Sequence, residues 1–302
     1  MRLGSENIIR NMDDVTIQFT DNYHDALTTL FGKVESIKNI ILSNAETSLN
    51  EGTITIHIDG DSTKVGVSEL SSGSTFVNAV AFANLSEGLS RSGHEPQAGK
   101  GEVVVIVLID SDMPDSTMAR AGITVNEGIT AAIQDLGLAY DGYLASGATR
   151  QDIVIVRNRA PGMYLRGAGN HTKLGELIGR STIEAVKRSA EENGTSIYSR
   201  MSVVELLSGY GYDQERLFSM SGCPDYSQFL VKILDKDSDP TVLAAVSATL
   251  HIVDCIRWGL VAEDVGMEAG IQVISTGISE PIRAQDLPET LAATVARYFM
   301  SG

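Results

Sequence analysis

The spacing of apolar positions changes repeatedly along the chain, and each change predicts an element. Val15–Phe19 is apolar at every second place and predicts a strand. From Tyr23 to Leu42 the residues Leu27, Leu30, Val34, Ile37 and Ile41 fall three or four apart, which predicts a helix. Thr53–Ile58 returns to β-branched alternation, and Asp59-Gly60-Asp61 predicts a hairpin turn into Lys64–Val67. Leu70–Asn84 begins small and polar and then turns apolar, as a loop entering a short helix or strand does. Ser92–Gly101 has the Gly and Pro content of a surface loop.

Val103–Ile109 is a continuous apolar run, the pattern of a central strand covered on both faces. Asp110, Asp112 and Asp115 follow it, and Asp112 or Asp115 is expected to cap the next helix. That helix carries Met118, Gly122, Val125, Ile129, Ala132 and Leu136 on one stripe and stops at Gly137. Glu127 falls on the other face.

The stretch Ala145–Gly194 holds a second central strand, Ile153–Val156, then a Pro-Gly turn and a second short strand. A Gly-rich loop, GAGNHT, leads into a long helix. Thr172 is its expected N-cap and Asn193-Gly194 its stop. Gly175 and Gly179, four apart, clear one face for close approach.

After Gly194 the alternation fades. Met201–Leu207, Tyr226–Leu234 and Pro240–Trp258 read as helices, the last with Asp239 as cap, Pro240 at its first position and Gly259 closing it. Ile271–Ser275 keeps a β-like alternation. The fold expected is α/β or α+β: a mixed sheet with covering helices over residues 1–196, then a smaller all-helical region over 197–302.

Composition narrows the partners. The chain has 302 residues, 43% hydrophobic and 21% charged, which is ordinary for a globular protein with a sizeable core. Its formal net charge of −16 leaves no Lys/Arg excess to neutralise phosphates, so neither nucleic acid nor an anionic membrane is expected as partner. Cys223 and Cys255 are far apart, no CxxC pair occurs, and no basic-then-apolar segment opens the chain. A cytoplasmic protein with reduced thiols is the expectation. The sequence leaves a homo-oligomer open.

Common catalytic motifs are absent: no P-loop, HExxH, GxSxG or Rossmann fingerprint occurs. His251 and Cys255 have half a metal site's spacing, but they flank a packing stripe. His171 and Lys173 sit in or just after the Gly-rich loop. There, backbone N–H groups at a helix start can hold an anion or a polarised carbonyl. His171 can equally serve the cap, and Lys173 can be a plain surface residue. Asp110, Asp112 and Asp115 lie past the end of a central strand, where ligands collect in α/β sheets. Asp152 opens the other central strand, and carboxylates from neighbouring strand ends can form an acid/base pair.

Four stretches, in order, resemble the adenosylcobinamide amidohydrolases of prokaryotic corrinoid salvage. They are LSSGSTFVNAVAFANL (Leu70–Leu85), GEVVVIVLIDSDMPDSTMARAGITVNEGITAAIQDLGL (Gly101–Leu138), SGATRQDIVIV (Ser146–Val156) and GAGNHTKLGELIGRSTIEAVK (Gly167–Lys187). The resemblance covers roughly residues 50 to 194. It implies cleavage of the amide that joins the aminopropanol arm to the corrin ring, yielding adenosylcobyric acid for cobamide synthesis. A corrinoid is then substrate or ligand, and no cofactor or metal is expected. The third stretch departs from the family, which reads close to TGTxTDA. Here Arg150 and Gln151 replace the Thr-Asp pair, and Asp152 is displaced by one. A corrinoid-binding or sensing protein that keeps the fold without the chemistry is therefore the alternative.

On this basis the candidate catalytic residues are Asp110, Asp112, Glu127, Asp152 and His171. The candidate substrate-binding residues are Ser72, Gly147, Thr149, Gly167, Gly169, Asn170, Thr172 and Lys173.

Overall fold

Strand parity organises the first part of the chain. A computed structural model describes residues 8–11, 13–95, 98–160, 164–195, 202–278 and 280–301. The chain divides into two compact units: residues 1–138 with 145–195, and residues 139–144 with 196–302.

Two sheets build the first unit. The smaller has the order β1-β2-β5-β7-β6, from β1 (Ile8–Arg10), β2 (Asp14–Gln18), β5 (Asn39–Ser43), β6 (Ser48–Asn50) and β7 (Thr53–His57). The larger has the order β4-β3-β15-β11-β9-β8, from β3 (His24–Thr28), β4 (Gly32–Val34), β8 (Gly66–Ser72), β9 (Thr75–Asn84), β11 (Glu102–Ile109) and β15 (Arg150–Asn158). The short β10 (Leu89–Ser90) and β14 (Gly147–Ala148) form a ribbon beside it.

All of β11 is buried, as its unbroken apolar run requires. It lies parallel to β15, from Glu102↔Arg150 to Ile109↔Arg157, and antiparallel to β9. Val104, Ile106 and Leu108 share one core with Phe82, Val154 and Val156, and with Ile17, Ile40, Leu42, Ile54 and Ile56 of the smaller sheet. The opposite face of the sheet carries two helices, α1 (Asp115–Asp135) over β15 and α2 (Lys173–Glu192) over β8 and β9. Small side chains let α2 come close. Ala79, Ala81 and Ala83 of β9 are fully buried, and a Cβ on Gly66 would overlap the Ala185 carbonyl of α2.

Several expectations change. Residues 23–42 form β3, β4 and the start of β5 rather than a helix. Of the apparent helical stripe only Val34 and Ile37 are buried, while Ala26, Ile40 and Leu42, off the stripe, fill the core. Gly32 (φ 68°) and Ser36 (φ 50°) turn the chain, and pairing of β3 with β15 decides the local structure. The turn at Asp59-Gly60-Asp61 is no hairpin, because β7 and β8 belong to different sheets. Residues 70–84 are the β8–β9 hairpin, turned at Gly73 (φ 61°). Neither Asp112 nor Asp115 caps α1, whose N-cap is Pro114. Asp112 instead accepts from the Met113 N–H, and Asp115 pairs with Lys33 and Arg157. The Pro-Gly turn at 161–162 lies outside the described residues; after it, Tyr164 makes only an isolated bridge to Asp112.

The second unit holds the hairpin β12 (Ala139–Tyr140) and β13 (Tyr143–Leu144) and six helices among the described residues. These are α3 (Val203–Ser208), α4 (Gln214–Ser221), α5 (Tyr226–Lys236), α6 (Pro240–Arg257), α7 (Glu263–Gly277) and α8 (Leu287–Met300). Asp213, Asp225, Asp239 and Asp286 each cap a helix through a side-chain oxygen. The β-like alternation at Ile271–Ser275 lies inside α7. Helix α6 is long and apolar enough to cross a membrane by length and composition. Its Val242, Val246, Leu250 and Val253 face the core of the unit with Phe229, Leu291 and Phe299.

Candidate functional site

Three separate stretches of sequence meet along the middle of α1. Thr124 donates its hydroxyl to the Ala168 carbonyl at 2.7 Å, which seats the Gly-rich loop on the helix. One turn on, Glu127 accepts from the Asn170 side-chain amide at 2.6 Å. One turn back, the Arg120 guanidinium lies against Gly169, where a Cβ would stand 3.1 Å from its Nε. Residues 120, 124 and 127 share this face because three or four residues make one helical turn. Asn126, beside Glu127, accepts from the Gln151 amide at 2.5 Å and so ties the entry of β15 to the same helix.

The loop is shaped for its place. Thr172 caps α2, accepting from the Gly175 N–H at 3.0 Å, and its hydroxyl also reaches the Gly169 carbonyl at 2.8 Å. A Cβ on Gly175 would overlap that same carbonyl, so glycine permits the close approach of the loop to the helix. Nothing comparable stands near Gly179. Asn170 and His171 are exposed on the loop. Lys173 is also exposed but engaged, 2.8 Å from Glu176, whose carboxyl it holds below the usual carboxylate range.

On the other flank of α1 a groove of about 450 Å³ opens between the helix and β3/β15. Leu27, Ile153 and Ile155 form its floor and Met118, Gly122 and Ile123 its wall, with Asn126 at the rim. A Cβ on Gly122 would meet nothing within 4 Å, so the wall is recessed there.

The departure at SGATRQD has a structural consequence. Arg150 bridges two carboxylates, Glu102 at 2.6 Å and Asp152 at 2.9 Å. Asp152 also accepts from the Thr29 hydroxyl at 3.3 Å. Burial pushes the Glu102 carboxyl up, opposed by the Asp59 N–H and by Arg150. Gly147 packs against Gln151 and Ser90, and Thr149 donates to the Gly88 carbonyl.

A comparison with protein families finds one match in this region. Residues 52–196 match the adenosylcobinamide amidohydrolase family. The match spans β7 to β15, α1 and α2, and so contains every residue of the α1 face described above. The matched segment leaves outside it β3 and β4 of the larger sheet and all six helices of the second unit. An uncharacterized protein of Methanocaldococcus jannaschii is 35% identical over 100 residues, 32% of this chain and 37% of its own. The chain thus spans little more than a third of that curated relative. Among solved structures, a Pyrococcus horikoshii protein aligns over 62% of this chain and 78% of its own, with 10% identity and a TM-score of 0.32.

The candidate residues are not all brought together. Glu127, Gly167, Gly169, Asn170, His171 and Thr172 gather on or beside α1. Asp110 and Asp152 do not form an acid/base pair. Asp152 is opposite Val104 in the parallel β11/β15 register, six residues before Asp110, or about 20 Å of strand. Asp110 and Asp112 lie at the carboxyl end of β11, with Ser72 on the β8–β9 hairpin; Glu127 is twelve residues along α1 from Asp115, about 18 Å. Gly147, Thr149 and Asp152 lie at the entry of β15, joined to α1 through Gln151.

Asn126, Arg120 and Gly122 were not expected at the site. Asn126 had one signal, an exposed amide next to the acidic Glu127; Gly122 had the opposite, since its spacing placed it on the core stripe. His251 and Cys255 stand 3.9 Å apart, and no group of three or more His, Cys, Asp or Glu is placed to hold a metal ion among the described residues.

Proposed function

We propose that this protein hydrolyses the amide of adenosylcobinamide, releasing adenosylcobyric acid, and that the α1 face carries the chemistry. The observation behind this reading is the family match over residues 52–196, within which three stretches converge on α1. Glu127 takes a proton from water as the water oxygen bonds to the amide carbon. It then returns that proton to the nitrogen as the carbon–nitrogen bond breaks. Asn170 orients the carboxylate. First-turn N–H groups of α2 and the exposed His171 face the developing oxyanion. The groove beside Gly122 takes an apolar part of the corrinoid. Lys173, already paired with Glu176, has the lesser part. The protein acts in the cytoplasm.

One observation favours a second reading, a corrinoid-binding protein without turnover: Arg150 and Thr29 hold Asp152 in place. A single assay separates the two. Purified protein is incubated with adenosylcobinamide, and adenosylcobyric acid is sought by chromatography. Tight binding with no product would sink the hydrolase; absence of binding would sink both.

A further inference from the structure

A polar strip crosses the larger sheet away from α1. His24 of β3 pairs directly with Asn158 of β15. The Asn158 amide donates to Asp110 at 2.8 Å, just past β11. Asn78 of β9 stands opposite Leu108, two residues before Asp110. His24, Asn158 and Asn78 stand two residues from Ala26, Val156 and Val80, which belong to the core shared by the two sheets, so their side chains lie on that face, and the bond from Asn158 joins Asp110 to them.

The strip is not internally satisfied. His24 is 2% exposed and Asn78 1% exposed. The amide oxygen and nitrogen of Asn78 and the Nε2 of His24 have no hydrogen-bond partner among the described residues. The His24 Nδ1 stands 2.9 Å from an Asp21 carboxylate oxygen, which leaves Nε2 as the ring's open position. Phe19 stacks on the imidazole, with ring centroids 4.8 Å apart. A buried polar atom left unpaired costs about 1–3 kcal/mol, and folded proteins retain few of them.

The missing partner has a definable chemistry. Asp21 and Asp110 flank the imidazole with negative charge. Burial lowers the affinity of His24 for a proton, which favours the neutral ring with an acceptor nitrogen free. The nearby cations are committed elsewhere: Arg157 to Asp25 and Asp115, Arg159 to Asp25, and Lys33 to Glu35 and Asp115. What the acceptors of the strip lack, the Asn78 oxygen and His24 Nε2 beside the Asp110 carboxylate, is a positively charged hydrogen-bond donor. Half-buried Asp110, at the carboxyl end of two parallel strands, is its outer end.

We propose that the strip His24–Asn158–Asp110–Asn78 is a ligand site of its own, for a small molecule bearing a primary ammonium group. The ammonium N–H groups meet the Asp110 carboxylate and an unpaired acceptor, the Asn78 oxygen or His24 Nε2. The site does not depend on the amidohydrolase reading, since none of its residues lies on the α1 face.

Methylammonium tests it, with tetramethylammonium as a cation that has no N–H to donate. The full chain is melted in each chloride salt at matched ionic strength, and the imidazole resonances are followed by nitrogen-15 NMR. Methylammonium is expected to raise the melting temperature by about 2–4 °C at saturation and to move the His24 resonances. Tetramethylammonium is expected to do neither. Asn78→Leu and Asp110→Asn should each weaken the methylammonium effect at least about tenfold in midpoint concentration, the tenfold step of a lost charged hydrogen bond. Equal effects of the two salts on the wild-type protein would overturn the proposal, whether or not either variant folds. So would a methylammonium response that survives both substitutions.

Discussion

Asn170 donates its side-chain amide to Glu127 at 2.6 Å, and this bond joins the Gly-rich loop to the middle of α1. Both residues are exposed, so the contact adds little to folding, and its removal should be visible in catalysis instead. Glu127→Gln keeps an acceptor for Asn170 and loses only the base. It should lower kcat on adenosylcobinamide by about 10²–10⁴-fold, the usual worth of a positioned base. Asn170→Ala should lower kcat less, with KM nearly unchanged. A thermal melt of both variants should match wild type within about 0.5 kcal/mol. Full activity in Glu127→Gln would remove the carboxylate from the mechanism and leave the family match untouched.

Gly122 should separate binding from stability. The groove is open where its Cβ would stand, so Gly122→Leu fills space that is otherwise recessed. In a helix interior the change also favours folding by about 0.8 kcal/mol. The expected result is a higher melting temperature together with a KM for adenosylcobinamide raised about tenfold and kcat held. A KM equal to wild type would show that the groove is not where the corrinoid rests.

Arg150 neutralises two carboxylates at once. Arg150→Ala would leave the deeply buried Glu102 with only the Asp59 N–H. Removing one partner of a buried pair costs about 3–5 kcal/mol; with Arg150 itself one-third exposed, roughly 2–3 kcal/mol is expected. Adding Glu102→Gln to that variant should recover much of the loss. Urea denaturation of the single and double variants checks both numbers.

Acid and base should act on two groups with opposite sign. Burial raises the folded-state pKa of Glu102 above 4.5, so the native state holds a proton that the unfolded chain releases. Its contribution is complete below 4.5 and is lost as pH rises through the raised value. Burial lowers the folded-state pKa of His24 below 6.5, although Asp21 and Asp110 pull the other way. Its contribution is complete above 6.5 and is lost as pH falls toward the lowered value. Denaturation midpoints measured from pH 4 to 8 should therefore show less loss on acidification below 6.5 in His24→Gln than in wild type. Glu102→Gln should show less loss on the rise above 4.5.

The sequence made the elements with a single strong period legible: β11, α1, α2 and α6 stand where their apolar spacing put them. The caps at Thr172 and Asp239 were equally plain, because a side-chain oxygen before a helix has few other uses. Residues 23–42 have the spacing of a helix, but pairing of β3 with β15, more than a hundred residues away, decides the outcome. The candidate site was legible in its parts. Asn170 and Glu127 were both visible, but their contact depends on how α2 lies beside α1. Asp110 and Asp152 looked like partners because each touches a central strand. The parallel register puts them at different ends, and no local pattern carries that information.

The hairpin Ala139–Leu144 bears on how the protein can be cut. It follows α1 directly in sequence yet groups with the helical unit, where Arg257 donates to the Gly142 carbonyl and lies over Tyr143 and Tyr210. The segment that matches the family model therefore carries within it six residues that fold as part of something else. A fragment ended near residue 195 would keep the hairpin and lose its bed, leaving Tyr140, only 6% exposed in the whole protein, without cover. Gene fusions or deletions that treat the two halves as interchangeable modules would have to replace this hairpin with a short loop from Leu138 to Ala145.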